Sequence, residues 1–179
     1  MMYWLVMFLL TFSVVDSLAS IGPLNQHQLN NKYFSKAVVP DSNFIAVFIV
    51  TPGDEFDNML KSQPDAWAES FSVNNLKIGT QVELHVIFSN QLVDKNNSSN
   101  VTYDVVIVQP GNIVKKYPGL EGLVGRIPNS SSNSYIARSF LRIKTNESDP
   151  IGDWKIYVTI RDNNRQASIS GSTTLTFER

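Results

Sequence analysis

The chain has 179 residues, 42% of them hydrophobic and 17% charged, with a formal net charge of −1. That length allows one folded domain with extras, and the apolar fraction is enough for a real core. A near-neutral chain with no block of like charge excludes the electrostatic footprint of nucleic-acid binding, and Lys115-Lys116 reads as a solvated turn.

Met1 to Val15 is nearly all apolar and runs into Asp16-Ser17-Leu18-Ala19-Ser20. Ser17 and Ala19 are small residues at the spacing signal peptidase accepts, so residues 1–19 read as a signal peptide cleaved after Ala19. No Lys or Arg precedes the run, which leaves an uncleaved anchor as the rival reading. The stretch of roughly 15 apolar residues falls short of the ~20 that span a bilayer, which favours secretion. No second stretch is long enough to cross. The chain has no cysteine, so an exported domain must be held by its core alone, which suits a bacterial periplasmic or secreted protein. Asn96, Asn97, Asn100, Asn129 and Asn146 stand in Asn-x-Ser/Thr sequons, as expected of a chain rich in Asn and Ser.

Residues 20–42 lack periodicity and read as a poorly ordered lead-in to a domain over 43–179. Phe44 to Val50 is a continuous apolar run, a buried strand ended by Thr51-Pro52-Gly53. Asp54 to Lys61 places Phe56, Met59 and Leu60 at helical spacing behind acidic first-turn residues, which predicts a short helix closed by Pro64. Phe71–Val73 reads as a short strand. Thr80 to Phe88 alternates, with Val82, Leu84, Val86 and Phe88 on one face and Gln81, Glu83, His85 and Ile87 on the other.

Residues 90–100 read as a mobile polar loop. Val101 to Val108 is a central strand, because both faces become apolar towards its end, and Pro110-Gly111-Asn112 is a turn. Residues 113–134 read as loop with brief strand character, ending in a low-complexity linker over 129–134. Ile136 to Lys144 is another strand, with Arg138, Arg142 and Lys144 on its outer face. Asp149-Pro150-Ile151-Gly152-Asp153 then turns into Trp154 to Arg161, with Trp154, Ile156, Val158 and Ile160 inward and Lys155, Tyr157, Thr159 and Arg161 outward. Asp162-Asn163-Asn164 turns the chain into a last β-rich run, Ser172 to Phe177.

Little in this pattern carries chemistry. With no Cys and only His27 and His85, a dense zinc or copper site is not expected, and His85 reads as solvated on an outer strand face. Asp54-Glu55-Phe56-Asp57 lacks the spaced ligands and Gly of a calcium loop. No Gly-x-Ser-x-Gly elbow or phosphate-binding loop occurs. We therefore expect no catalytic residue, no metal and no cofactor. The binding candidates are the aromatics Trp67 and Tyr117, placed in loop and turn, where exposed rings bind sugars and peptides; the alternative is that both pack on the sandwich edge. Trp154 reads as core.

The order of these features resembles a family of small exported bacterial proteins of unknown function. The likeness rests on the run ending at Thr51-Pro52, the acidic-aromatic helix, Gly79 to Phe88, Val101 to Gly111, and Asp149 to Val158. It spans about residues 44 to 177. The chain departs from it at Pro110-Gly111-Asn112, where members often carry Pro-Asp-Gly. The resemblance implies an immunoglobulin-like sandwich and brings no catalytic residues.

The expected fold is thus all-β, an immunoglobulin-like sandwich of about seven or eight antiparallel strands with one short helix. The expected function is a non-enzymatic binding module whose partner is another envelope protein or a polymer. A loop end (52–70, 90–100 or 111–134) or an unpaired sandwich edge would engage it. The alternatives are an envelope enzyme acting on glycans with a carboxylate pair, and a subunit assembling by strand exchange.

Overall fold

The three clean alternations each become a long strand, and two sheets grow around them. The computed structural model describes residues 20–21, 37–38, 43–53, 55–61, 75–127 and 134–179. The expected signal peptide 1–19, His27, Asp54, Trp67, the expected strand Phe71–Val73 and all but the end of the expected 129–134 linker lie outside these residues. From the lead-in, β1 (Ser20–Ile21) and β2 (Ala37–Val38) are described, and each lies at an edge of the first sheet.

That sheet also holds β3 (Ile45–Pro52), β5 (Gln81–Ser89), β8 (Ser134–Ile136) and β9 (Leu141–Lys144), in the order β1-β8-β5-β3-β2 with β9 paired on β5. The second sheet holds β4 (Leu76–Lys77), β6 (Ser98–Gln109), β7 (Ile113–Arg126), β10 (Gly152–Asp162) and β11 (Ala167–Glu178), in the order β4-β11-β10-β6-β7. One short helix, α1 (Glu55–Lys61), follows β3 as expected, with Glu55 and Asp57 in its first turn and Lys61 in its last. The fold is an all-β sandwich. Its strands are not all antiparallel: β4 runs parallel to β11 through two residue pairs, Leu76 with Phe177 and Lys77 with Glu178.

The core lies between the sheets. Phe44, Phe48, Leu84 and Phe88 from one sheet meet Tyr103, Ile107, Trp154, Ile156 and Phe177 from the other. Alternation in β10 puts Trp154, Ile156, Val158 and Ile160 inside, as the sequence predicts. Trp154 tilts against Phe177 at 4.9 Å, and its indole N–H donates to the Pro150 carbonyl at 2.9 Å. A buried indole without that acceptor would lose its hydrogen bond to water for nothing in return.

Four regions depart from the sequence reading. Residues 113–126 form a 14-residue strand rather than loop, paired with β6 from Gln109–Ile113 to Ser98–Arg126. Irregularities at Val101/Thr102 and Tyr103/Val105 let the glycine-rich chain keep its ladder. Gly122 is required there, because a Cβ would lie 2.9 Å from both the Val101 carbonyl oxygen and its Cγ1.

The expected strand over 136–144 breaks into β8 and β9. Between them Arg138 and Ser139 donate their amides to Gly122 (2.8 Å) and Glu121 (3.0 Å) of β7, so the chain crosses to the other sheet. The 90–97 loop is pinned rather than mobile. Asp162, fully buried, accepts the Leu92 amide at 2.7 Å, and the Asn164 side chain donates to the Leu92 and Ser98 carbonyls.

The fourth departure concerns β5. It is buried on both faces, not half-buried, because Val47, Ile49 and Ile87 on the outer side of the first sheet are as closed off as the core. The fully apolar run of β3 anticipates a second covered face, whereas the polar residues of β5 conceal it.

Candidate functional site

Of the two aromatic candidates, Trp67 lies outside the described residues. Tyr117 sits in the middle of β7, opposite Val105, and packs half-buried against the core. Burial pushes its phenol above the usual value. The structure does not bring it to a loop tip.

His85 is not solvated, which corrects the sequence reading. It is 7% exposed and lies on the outer side of β5, where α1 lays Phe56 flat on the imidazole with ring centroids 3.6 Å apart and 3° between planes. Phe140, ahead of β9, stacks on the same imidazole at 4.9 Å. Glu83, two residues away on the same face, divides its oxygens. Oε2 lies 3.2 Å from His85 Nε2, while Oε1 accepts from Arg142 Nε (2.9 Å) and a terminal guanidinium nitrogen (2.7 Å). Burial holds the His85 pKa below its ordinary 6.5, against a smaller upward pull from the Glu83 hydrogen bond. The ring is therefore neutral at pH 7 and donates from Nε2 to the carboxylate.

This cluster has the residue types of a catalytic relay but not its access. The imidazole is stacked by two phenyl rings, and its partner carboxylate is 5% exposed. A general base must reach a substrate proton. What the arrangement does is fasten α1 and β9 to β5.

Several other carboxylates are each held by a separate partner. Asp104 takes Arg161 at 2.7 Å and the Gly119 amide at 2.8 Å, which hold its carboxyl below the usual range. Glu121 takes Arg138 at 3.0 Å, Glu178 takes Lys77 at 3.3 Å, and Asp153 takes the Thr176 hydroxyl at 2.7 Å. Among the described residues no group of three His, Cys, Asp or Glu is placed to hold a metal ion. No helix among them is long and apolar enough to cross a membrane.

The outer face of the second sheet is different. Strand register sets its side chains in rows across β7, β6, β10 and β11. One row reads Val114, Val108, Lys155, Thr174, and the next reads Lys116, Val106, Tyr157, Ser172. Val114, Val108, Val106 and Tyr157 thus form an unbroken apolar diagonal with Lys116 and Lys155 at its two flanks. Val114 is 49% exposed and Tyr157 45%, large values for apolar side chains in the body of a sheet. Ile113, exposed too, faces the other way, since it pairs with the inward-pointing Gln109. Sequence parity places Tyr157 and Lys155 outward. It misses the diagonal because Val114 and Lys116 are not recognisable as strand residues from sequence.

No protein-family model matches this chain, and no curated protein matches it in sequence. Solved structures with a similar course of chain include a Niemann-Pick type C2 protein from Japanese carpenter ant, at 9% identity and TM-score 0.38, covering 90% of this chain and 99% of that one. Others are a Pseudomonas fluorescens alkylpurine DNA glycosylase (11% identity, TM-score 0.38, 58% of this chain) and a family 123 glycoside hydrolase from Clostridium perfringens (8%, 0.39, 74%). The chain spans 27% of the length of each of the latter two. Likeness this distant leaves function to be argued from the residues themselves.

Proposed function

We propose that this chain is an exported, non-enzymatic binding module of the bacterial periplasm or envelope that engages another envelope protein through the outer face of its second sheet. The observation that carries the reading is the exposed apolar diagonal of Val114, Val108, Val106 and Tyr157. A sheet face open to water ordinarily carries polar side chains, and a contiguous apolar patch rimmed by polar ones is the surface signature of protein contact. Export is supported by the apolar run Met1 to Val15 with Ser17 and Ala19 behind it.

The test is affinity capture from envelope extract with the full chain as bait. A protein retained by the wild type and lost with Val114→Ser/Tyr157→Ser supports the reading, provided the variant melts at the wild-type temperature. Loss with Trp67→Ala alone, the face being intact, would move the contact to the 62–74 segment. Amino-terminal sequencing of the protein from fractionated cells tests export, with Ser20 expected as the first residue.

A further inference from the structure

We infer that the partner of this face is an extended protein segment in which an apolar residue stands between two acidic ones, spaced to reach Lys116 and Lys155 together. The inference rests on the reading of the second sheet's outer face as the contact surface, and it concerns what that surface selects. Lys116 lies on β7 and Lys155 on β10, with β6 between them, one row apart. Two strand spacings across and two residues along put their Cα atoms about 12 Å apart. The apolar diagonal runs between them.

Both lysines are exposed and make no ion pair among the described residues. Of the carboxylates nearby on this face, Asp104 is neutralised by Arg161, while Asp153 accepts the Thr176 hydroxyl and keeps its own charge. Covering the diagonal therefore brings two ammonium groups to the rim of the contact with no ion-pair partner from this chain. A partner supplying two carboxylates there gains attraction, while a neutral or basic one meets a desolvation or repulsion penalty.

The same features argue against other occupants. Two lysines are too few to hold a polyanion, and a polyanionic chain offers the four apolar side chains nothing to pack on. A second copy of this chain would set its own Lys116 and Lys155 against the same patch, like charge facing like charge. An extended segment of the pattern acidic-x-apolar-x-acidic sets its carboxylates about 13 Å apart on one side, with the apolar residue between them.

Two labelled eleven-residue peptides test this with the full chain, one centred on Glu-Thr-Leu-Thr-Glu and the other on Lys-Thr-Leu-Thr-Lys. Fluorescence anisotropy should show the first binding about tenfold tighter or more, with a preference that weakens as salt is raised. The Lys116→Glu/Lys155→Glu variant should invert the preference at unchanged melting temperature. Equal binding of both peptides, no binding of either at millimolar concentration, or an uninverted preference overturns the inference. So does equally tight binding of heparin, or self-association in sedimentation that the charge-reversed variant abolishes. If Val114→Ser/Tyr157→Ser abolishes envelope capture and charge reversal does not, the face stands and the acidic partner falls. If neither pair of changes affects capture, the reading of the face falls.

Discussion

The outer faces of the two sheets carry comparable side chains in opposite circumstances. On the first, Glu83 and His85 lie under α1, sealed by Phe56 and Phe140 and tied to Arg142. On the second, Lys155, Tyr157 and Val114 stand open, with apolar surface uncovered. On the first face polar and apolar side chains alike are buried, and on the second both are exposed. Buried charge that is fully engaged fastens elements together, and exposed apolar surface is available to something outside the chain. Catalytic-looking chemistry in this protein does structural work, and plain surface residues carry the functional reading.

The covered face is most vulnerable at Glu83. Glu83→Ala should destabilise the fold by about 2–3 kcal/mol in urea titration, because it strips the hydrogen-bond partner from a buried imidazole and from a half-exposed guanidinium. A change near zero would mean the cluster is decoration. Gly122→Ala, at the bulge joining β6 and β7, should cost about 1–3 kcal/mol, since the new methyl meets backbone as well as a side chain. It tests whether the second face needs its register, and peptide binding should weaken with stability.

The two faces also separate by pH. His85 has a folded pKa below its unfolded value near 6.5, so the unfolded chain takes the proton first. Its contribution is complete above about pH 6.5 and declines as pH falls from there through the folded value. Asp104 has a folded pKa below 3.8, so its contribution persists to that pH and is lost only below it. Melting temperature followed from pH 8 to 3 should fall first in the histidine window, and His85→Gln should flatten that limb alone. A wild-type profile flat between pH 7 and 5 would refute the burial assigned to the imidazole. The smallest stability effect belongs to Val114→Ser/Tyr157→Ser, within about 0.5 kcal/mol of wild type, because these side chains are near half exposed. That near-neutrality is what allows loss of capture to be read as loss of contact.

Much of the architecture was legible in the residues. Alternation in β5, β6 and β10 fixed which side chains share a face, and Trp154 fell in the core as its parity required. The acidic start of α1 and the turn at Pro110 were equally plain. β7 was not legible, because Tyr117-Pro118-Gly119 and Gly122 to Gly125 have poor strand propensity. Pairing with β6, with bulges placed at the glycines, overrides that local preference. Tyr117 therefore changes from turn residue to strand residue packed on the core, and with it goes the argument that made it a site.

What the sequence determined by itself is parity: a strand's own period of two decides which residues point the same way. What only the tertiary structure decided is cover. Whether α1 folds back over Glu83 and His85, and whether anything folds over Tyr157 and Val114, depends on residues distant in the chain. No local pattern encodes those contacts, since burial of a face is a property of the element laid on it.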